Sequence, residues 1–100
     1  MAKIRWNKIA LDDLDNIAEY IAKDSERYAA ITIQKIFDRA DHLKLFPFGG
    51  RKVPEMNHEN IRELIEGNYR IIYEVHSQDD IEILTVFHGA RLLQNQLEQE

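Results

Sequence analysis

Hydrophobic and polar positions along the chain change period twice, and those changes outline the fold. Ile4 and Trp6 alternate with Lys3 and Arg5, the period of a short strand with one buried face. From Ala10 the apolar residues recur at three and four: Ala10, Leu11, Leu14, Ile17, Ala18 and Ile21, with Asp12, Asp13, Asp15 and Glu19 between them. This is an amphipathic helix capped by Asn7 and acidic toward its start, as the helix dipole favours. Asp24 and Ser25 interrupt the pattern and offer a second cap. Ala29, Ala30, Ile33, Ile36, Phe37, Ala40 and Leu43 then form a second helical stripe. So short a link makes the two helices an antiparallel hairpin. Phe46-Pro47-Phe48-Gly49-Gly50 ends the second helix, and a loop follows through Arg51, Lys52, Pro54 and Asn60.

From Ile61 the period becomes two. Three runs, Ile61 to Ile65, Tyr69 to Val75 and Ile81 to Phe87, read as strands joined by Glu66-Gly67-Asn68 and by His76 to Asp80, lengths that close antiparallel hairpins. One face of that meander needs a cover, and the helical hairpin is the element able to supply it. The expected class is therefore α+β, in the order β-α-α-β-β-β: an antiparallel sheet covered by an N-terminal helical hairpin. The tail from Gly89 through Arg91, Leu92, Leu93 and Leu97 reads as a short terminal helix or a partner-binding arm.

The 100 residues fit one domain spanning 1–100, and 44% hydrophobic with 31% charged residues is the balance of a folded globular chain. A domain this small buries only about two thirds of its unfolded surface, so a bound partner is a natural source of added stability. No apolar run approaches the roughly 20 residues that span a bilayer, and the first residues lack a signal-peptide core, so the cytoplasm is the expected location. The absence of cysteine removes disulfides, thiolate nucleophiles and Cys-based zinc sites. A net charge of -5 argues against a surface that binds nucleic acid everywhere, leaving a local basic patch as the form such binding would take.

The chemistry-bearing residues gather on the strands. Arg62 and Arg70 lie on neighbouring strands of one hairpin, His88 closes the last strand and Arg91 follows it, so these residues can converge, depending on register. Attack by a ribose 2′-hydroxyl needs a base, an acid and a cation beside the phosphate, roles open to His88, Glu63 and the arginines. In the structural alternative the arginines pair with Glu63, Glu74 and Glu82, and His88 simply ends a strand. Histidines 42, 58, 76 and 88 have no metal-ligand spacing, and no cofactor motif is present. Gly49-Gly50-Arg51-Lys52 reads as a turn rather than a phosphate loop, and Tyr69 and Tyr73 as sheet packing.

Taken together, several segments resemble the ParE/RelE toxin superfamily, in the same order, from about residue 3 to residue 93. They are Trp6, Asp13 to Ile21, Phe46-Pro47 with Gly50-Arg51, Ile61 to Leu64, Tyr69 to Tyr73 and Val86 to Arg91. The resemblance implies the toxin of a type II toxin–antitoxin system, neutralised by an antitoxin that wraps an extended and partly helical segment around it. Operator DNA would be met only through that antitoxin. ParE-like members poison DNA gyrase and lack RNase residues. RelE-like members cleave mRNA on the ribosome with sheet arginines and lysines and a C-terminal Tyr or His, positions that Arg62, Arg70 and His88 match in kind. This chain has no tyrosine after Tyr73 and no lysine after Lys52. Its acidic first helix, Tyr20-Ile21 and closing His-Gly-Ala-Arg favour the ParE branch, with a gyrase poison rather than an enzyme as the expected activity. The alternatives are an mRNA endonuclease and a non-toxic member that binds its antitoxin and regulates their operon.

Overall fold

A computed structural model describes residues 1–90. Asn7 and Ser25 cap the two helices as their sequence positions imply: each side chain accepts from a backbone N–H three residues on, Ala10 at 2.8 Å and Tyr28 at 3.0 Å. The elements are β1 (Lys3–Trp6), α1 (Lys8–Ala22), α2 (Glu26–Asp41), a 3-10 turn (His42–Lys44), β2 (Arg51–Lys52), β3 (Ile61–Glu66), β4 (Tyr69–Ser77) and β5 (Asp80–His88). They form an α+β fold, the helical hairpin lying on one face of a five-stranded sheet of order β1-β5-β4-β3-β2. None of the described helices is long and apolar enough to cross a membrane.

The meander β3-β4-β5 is antiparallel, as the period-two runs require. β1 joins it parallel to β5, pairing Lys3 with Asp80 and Trp6 with Ile83, so the sheet is mixed. The parallel sense follows from topology. The chain leaves β1 into the helical layer and returns on the far side of the sheet, which a tight hairpin cannot do. β1 ends at Trp6, and beyond it the edge of β5 is served by α1: the Asp13 carboxylate accepts from the Thr85 hydroxyl and, at 3.0 Å, from the Val86 N–H.

The segment expected as loop contributes β2, which pairs Arg51 with Glu63 and Lys52 with Arg62. Gly50 sets its approach. A Cβ there would stand 2.3 Å from the Glu63 carbonyl oxygen and 2.7 Å from the Tyr73 hydroxyl, so only glycine fits. Its N–H donates to that buried hydroxyl at 2.8 Å. Gly67, first of the two residues linking β3 and β4, adopts φ 58°, the left-handed position that a two-residue hairpin gives to glycine. β4 and β5 run on to Ser77 and from Asp80, beyond the apolar runs, through the exposed His76 and Ser77 and the half-buried Asp80.

The main core joins Ala10, Leu14, Ile36, Ala40 and Leu43 of the helical layer to Leu64, Ile71, Tyr73, Val75, Ile81, Ile83 and Val86 of the sheet. Trp6 closes one side against Phe37, ring centroids 4.7 Å apart. The helical hairpin is not the sheet's whole cover. Val53 and Met56 of the 53–60 segment fold over the opposite face and make a second cluster with Ile61, Ile72, Leu84 and Phe87.

Candidate functional site

Arg70 pairs across the sheet with Ile65 and Phe87, which turns its side chain to the face away from the helices, beneath the 53–60 segment. There it meets two carboxylates. Glu63, whose side chain has no exposed surface, accepts from Arg70 Nε at 2.7 Å and from Arg51 Nε at 2.8 Å. Glu55 accepts from both Arg70 Nη atoms at 2.7 and 2.9 Å, a bidentate pair. The Phe87 ring lies 5.4 Å from the guanidinium. The Glu55 hydrogen bonds, helped by Glu63 and opposed by burial, hold the Arg70 cation even more firmly protonated than a free guanidinium. Its charge is thus spent on two fixed carboxylates.

Arg62 occupies the other face of the sheet, opposite Tyr73. Its Nε donates to the Glu59 carbonyl at 3.0 Å and Nη1 to the Gly50 carbonyl at 3.3 Å, while the guanidinium stacks 5.1 Å from the Phe48 ring. His88 sits opposite Tyr69, their rings edge-on at 5.8 Å, and its Nδ1 accepts from the Ala90 N–H.

These placements correct the expectation that Arg62, Arg70 and His88 converge. Strand alternation sends Arg62 and Arg70 to opposite faces. The register sets Arg62 opposite Tyr73, whereas His88 is opposite Tyr69, four residues away along β4, about 14 Å at the rise of a strand. Arg91 lies outside the described residues. The structural alternative fits Arg70 and Glu63; the second carboxylate is Glu55, on the loop, where periodicity offers no clue. Glu74 and Glu82 hold neither Arg62 nor Arg70 and instead face His76.

Apolar side chains on the surface form the other feature of the site. Leu45, Phe46 and Phe48 stand out after the 3-10 turn, the first two nearly two-thirds exposed, and Tyr20 and Tyr28 project from the helical hairpin. A groove of about 350 Å³ beside Phe46 is lined by Arg39, His42, Leu43, Gly49 and Leu64, mixing apolar walls with cationic and imidazole groups. Exposed aromatic side chains beside cations are the composition of a protein-binding surface. The Phe46-Pro47-Phe48 run, which the sequence marks as the end of the second helix, thus also presents exposed aromatic surface.

Comparison with known proteins agrees with this architecture. The family model described as "ParE toxin of type II toxin-antitoxin system, parDE" matches residues 4–93. The curated protein "Putative toxin Y4kP" of Sinorhizobium fredii is 36% identical over 87 residues, covering 87% of this chain and 88% of that protein. In fold, the chain is similar to a structure of the chromosomal ParDE system from P. aeruginosa, with a TM-score of 0.72 and 23% identity over 88% of this chain and 96% of that one. It is also similar to a chain of the RelBE2 toxin–antitoxin complex from Mycobacterium tuberculosis, with a TM-score of 0.62 and 20% identity over 87% and 96%. Matched over nine-tenths of its length, this chain belongs to the ParE family of type II toxins.

Proposed function

We propose that this chain arrests growth by binding DNA gyrase, without cleaving RNA, and that a cognate antitoxin keeps it silent. The observation that carries the reading is the dispersal of the groups RNA cleavage would need. Arg70 is locked between Glu63 and Glu55, Arg62 is turned to the opposite face, and His88 stands a strand's length from Arg62. Attack by a 2′-hydroxyl needs base, acid and cation around one phosphate, and among the described residues Arg62, Arg70 and His88 do not assemble that arrangement. The net charge of -5 points the same way, since ribosome and mRNA binding draws on positive charge.

The antitoxin is expected at the groove beside Phe46. Its apolar walls suit a helical or extended peptide with hydrophobic anchors, and Arg39 at its margin suits an acidic residue on that peptide.

The test is controlled induction in growing bacteria with DNA and protein synthesis pulse-labelled from the first minutes, for the native chain and His88→Ala. DNA synthesis failing first, filamentation, and retained toxicity of His88→Ala are expected. Protein synthesis stopping first, with toxicity lost in His88→Ala, overturns the gyrase reading in favour of an mRNA endonuclease. Induction without arrest overturns both and leaves antitoxin binding as the chain's role.

A further inference from the structure

At the end of the β4–β5 hairpin farthest from the turn at Gly67, two glutamates face each other across the strands. Glu74 and Glu82 are register partners on the face away from the helices. Like charges directly opposed in a ladder are destabilising, so the pair calls for a cation between them. His76, two residues beyond Glu74 on β4, shares its face by strand alternation, next to the register shift between Val75 and Ser77. The His76 Nε2 lies 2.8 Å from Glu82 Oε1 and Nδ1 lies 3.9 Å from Glu74 Oε2. One imidazole nitrogen and one oxygen from each carboxylate all fall within 4.8 Å of one another. Arg5, the cation next to Glu82 on β1, is engaged by Asp80 through Nε at 2.8 Å and Nη2 at 3.2 Å. The Asn7 amide donates to Glu82 Oε2 at 3.4 Å, in position to orient the carboxylate.

We infer that Glu74, His76 and Glu82 form a binding site for a divalent first-row transition cation of the zinc class. Three protein ligands, one nitrogen and two oxygens, match the borderline preference of such ions and leave coordination positions for water. Mg²⁺ and Ca²⁺ are disfavoured, because they take oxygen ligands and the imidazole offers none. The site is independent of the toxin reading: it touches neither the Arg70 network nor the groove at Phe46. Its occupation ties β4 to β5 next to β1. In the sequence the four histidines show no ligand spacing, because the ligands come from two strands and meet only through the hairpin register.

The test is titration of the full chain, without a histidine tag, with Zn²⁺ by calorimetry at pH 7.5 and with Co²⁺ by visible absorption. One equivalent of Zn²⁺ is expected, with ligand-field absorption from Co²⁺ and a thermal midpoint several degrees higher with Zn²⁺ than with EDTA. His76→Ala should abolish uptake, and Glu74→Gln and Glu82→Gln should each weaken it tenfold or more; His58→Ala should leave it unchanged. His76 lies on the surface, so His76→Ala in EDTA should melt with the native chain, which separates loss of metal from loss of fold. No stoichiometric uptake, or uptake that survives His76→Ala, overturns the assignment. So does a thermal midpoint that responds to pH but not to Zn²⁺, since the cation between the glutamates is then a proton.

Discussion

Replacing Glu63 by Gln removes the negative charge at the centre of the sheet's outer face while keeping its shape. The Glu63 side chain is wholly buried and Arg70 is only 11% exposed, so the guanidinium has little water to replace what it loses. Breaking a buried ion pair from one side costs about 3–5 kcal/mol. Arg70 keeps both hydrogen bonds to Glu55, and Arg51 is two-thirds exposed and can return to solvent, so the low end applies, about 3 kcal/mol. In a domain of this size each kcal/mol moves the melting midpoint by about 4–8 °C, giving a loss of roughly 12–24 °C. Glu55→Gln is the internal comparison. Its side chain is one-third exposed and should cost about 1 kcal/mol, nearer the value of a surface pair. The assay is thermal and urea unfolding of the purified variants by circular dichroism, with Glu63→Gln/Arg70→Met as the third variant. That pair removes both buried charges and should recover part of the single-variant loss, as apolar replacement of buried ion pairs generally does. A Glu63→Gln loss no larger than that of Glu55→Gln, or a double variant worse than the sum of its parts, refutes the reasoning.

Two further perturbations probe the junction of Gly50 and Tyr73. Tyr73→Phe leaves the buried Gly50 N–H without its acceptor and should cost about 1–3 kcal/mol in urea unfolding. Burial raises the Tyr73 phenol above its ordinary value of 10.0, against a lowering contribution from the Gly50 hydrogen bond. The folded state thus holds its proton more tightly than the unfolded chain, so the associated stability is present below that ordinary value and is lost as pH rises past it. Native stability should fall more steeply than that of Tyr73→Phe in an alkaline titration, and equal slopes exclude the mechanism. Gly50→Ala forces a methyl group onto the Glu63 carbonyl and should cost about 1–3 kcal/mol, with faster amide exchange at Arg51 and Lys52 as β2 detaches. Unchanged exchange there rejects the close-approach account.

Helices, caps and the three-stranded meander were legible because each rests on local periodicity and on capping residues within three positions of the donors they serve. The parallel pairing of β1 with β5 was not, since nothing near Lys3–Trp6 names a partner at the other end of the chain. β2 is two residues long and exists because Gly50 admits the chain against β3, a steric fact with no periodic trace. At the site, the residue types were legible and their faces were not. Arg62 and Arg70 look equivalent in sequence, yet strand alternation gives one to each side of the sheet. Glu55 could not be paired with Arg70 from the sequence, because a loop residue follows no periodic rule.

The union of the first strand with the last also governs when the protein comes into being. The Arg5–Asp80 ion pair closes a span of 75 residues, and β5 is the strand against which both β1 and α1 rest. Local helices form quickly, whereas pairing across so long a separation must wait for its distant partner. During synthesis the helical hairpin therefore emerges with its apolar stripe uncovered, and the sheet beneath it cannot close until β5 has left the ribosome. Until β5 docks, a nascent chain exposes the apolar surface that the finished fold buries between helices and sheet.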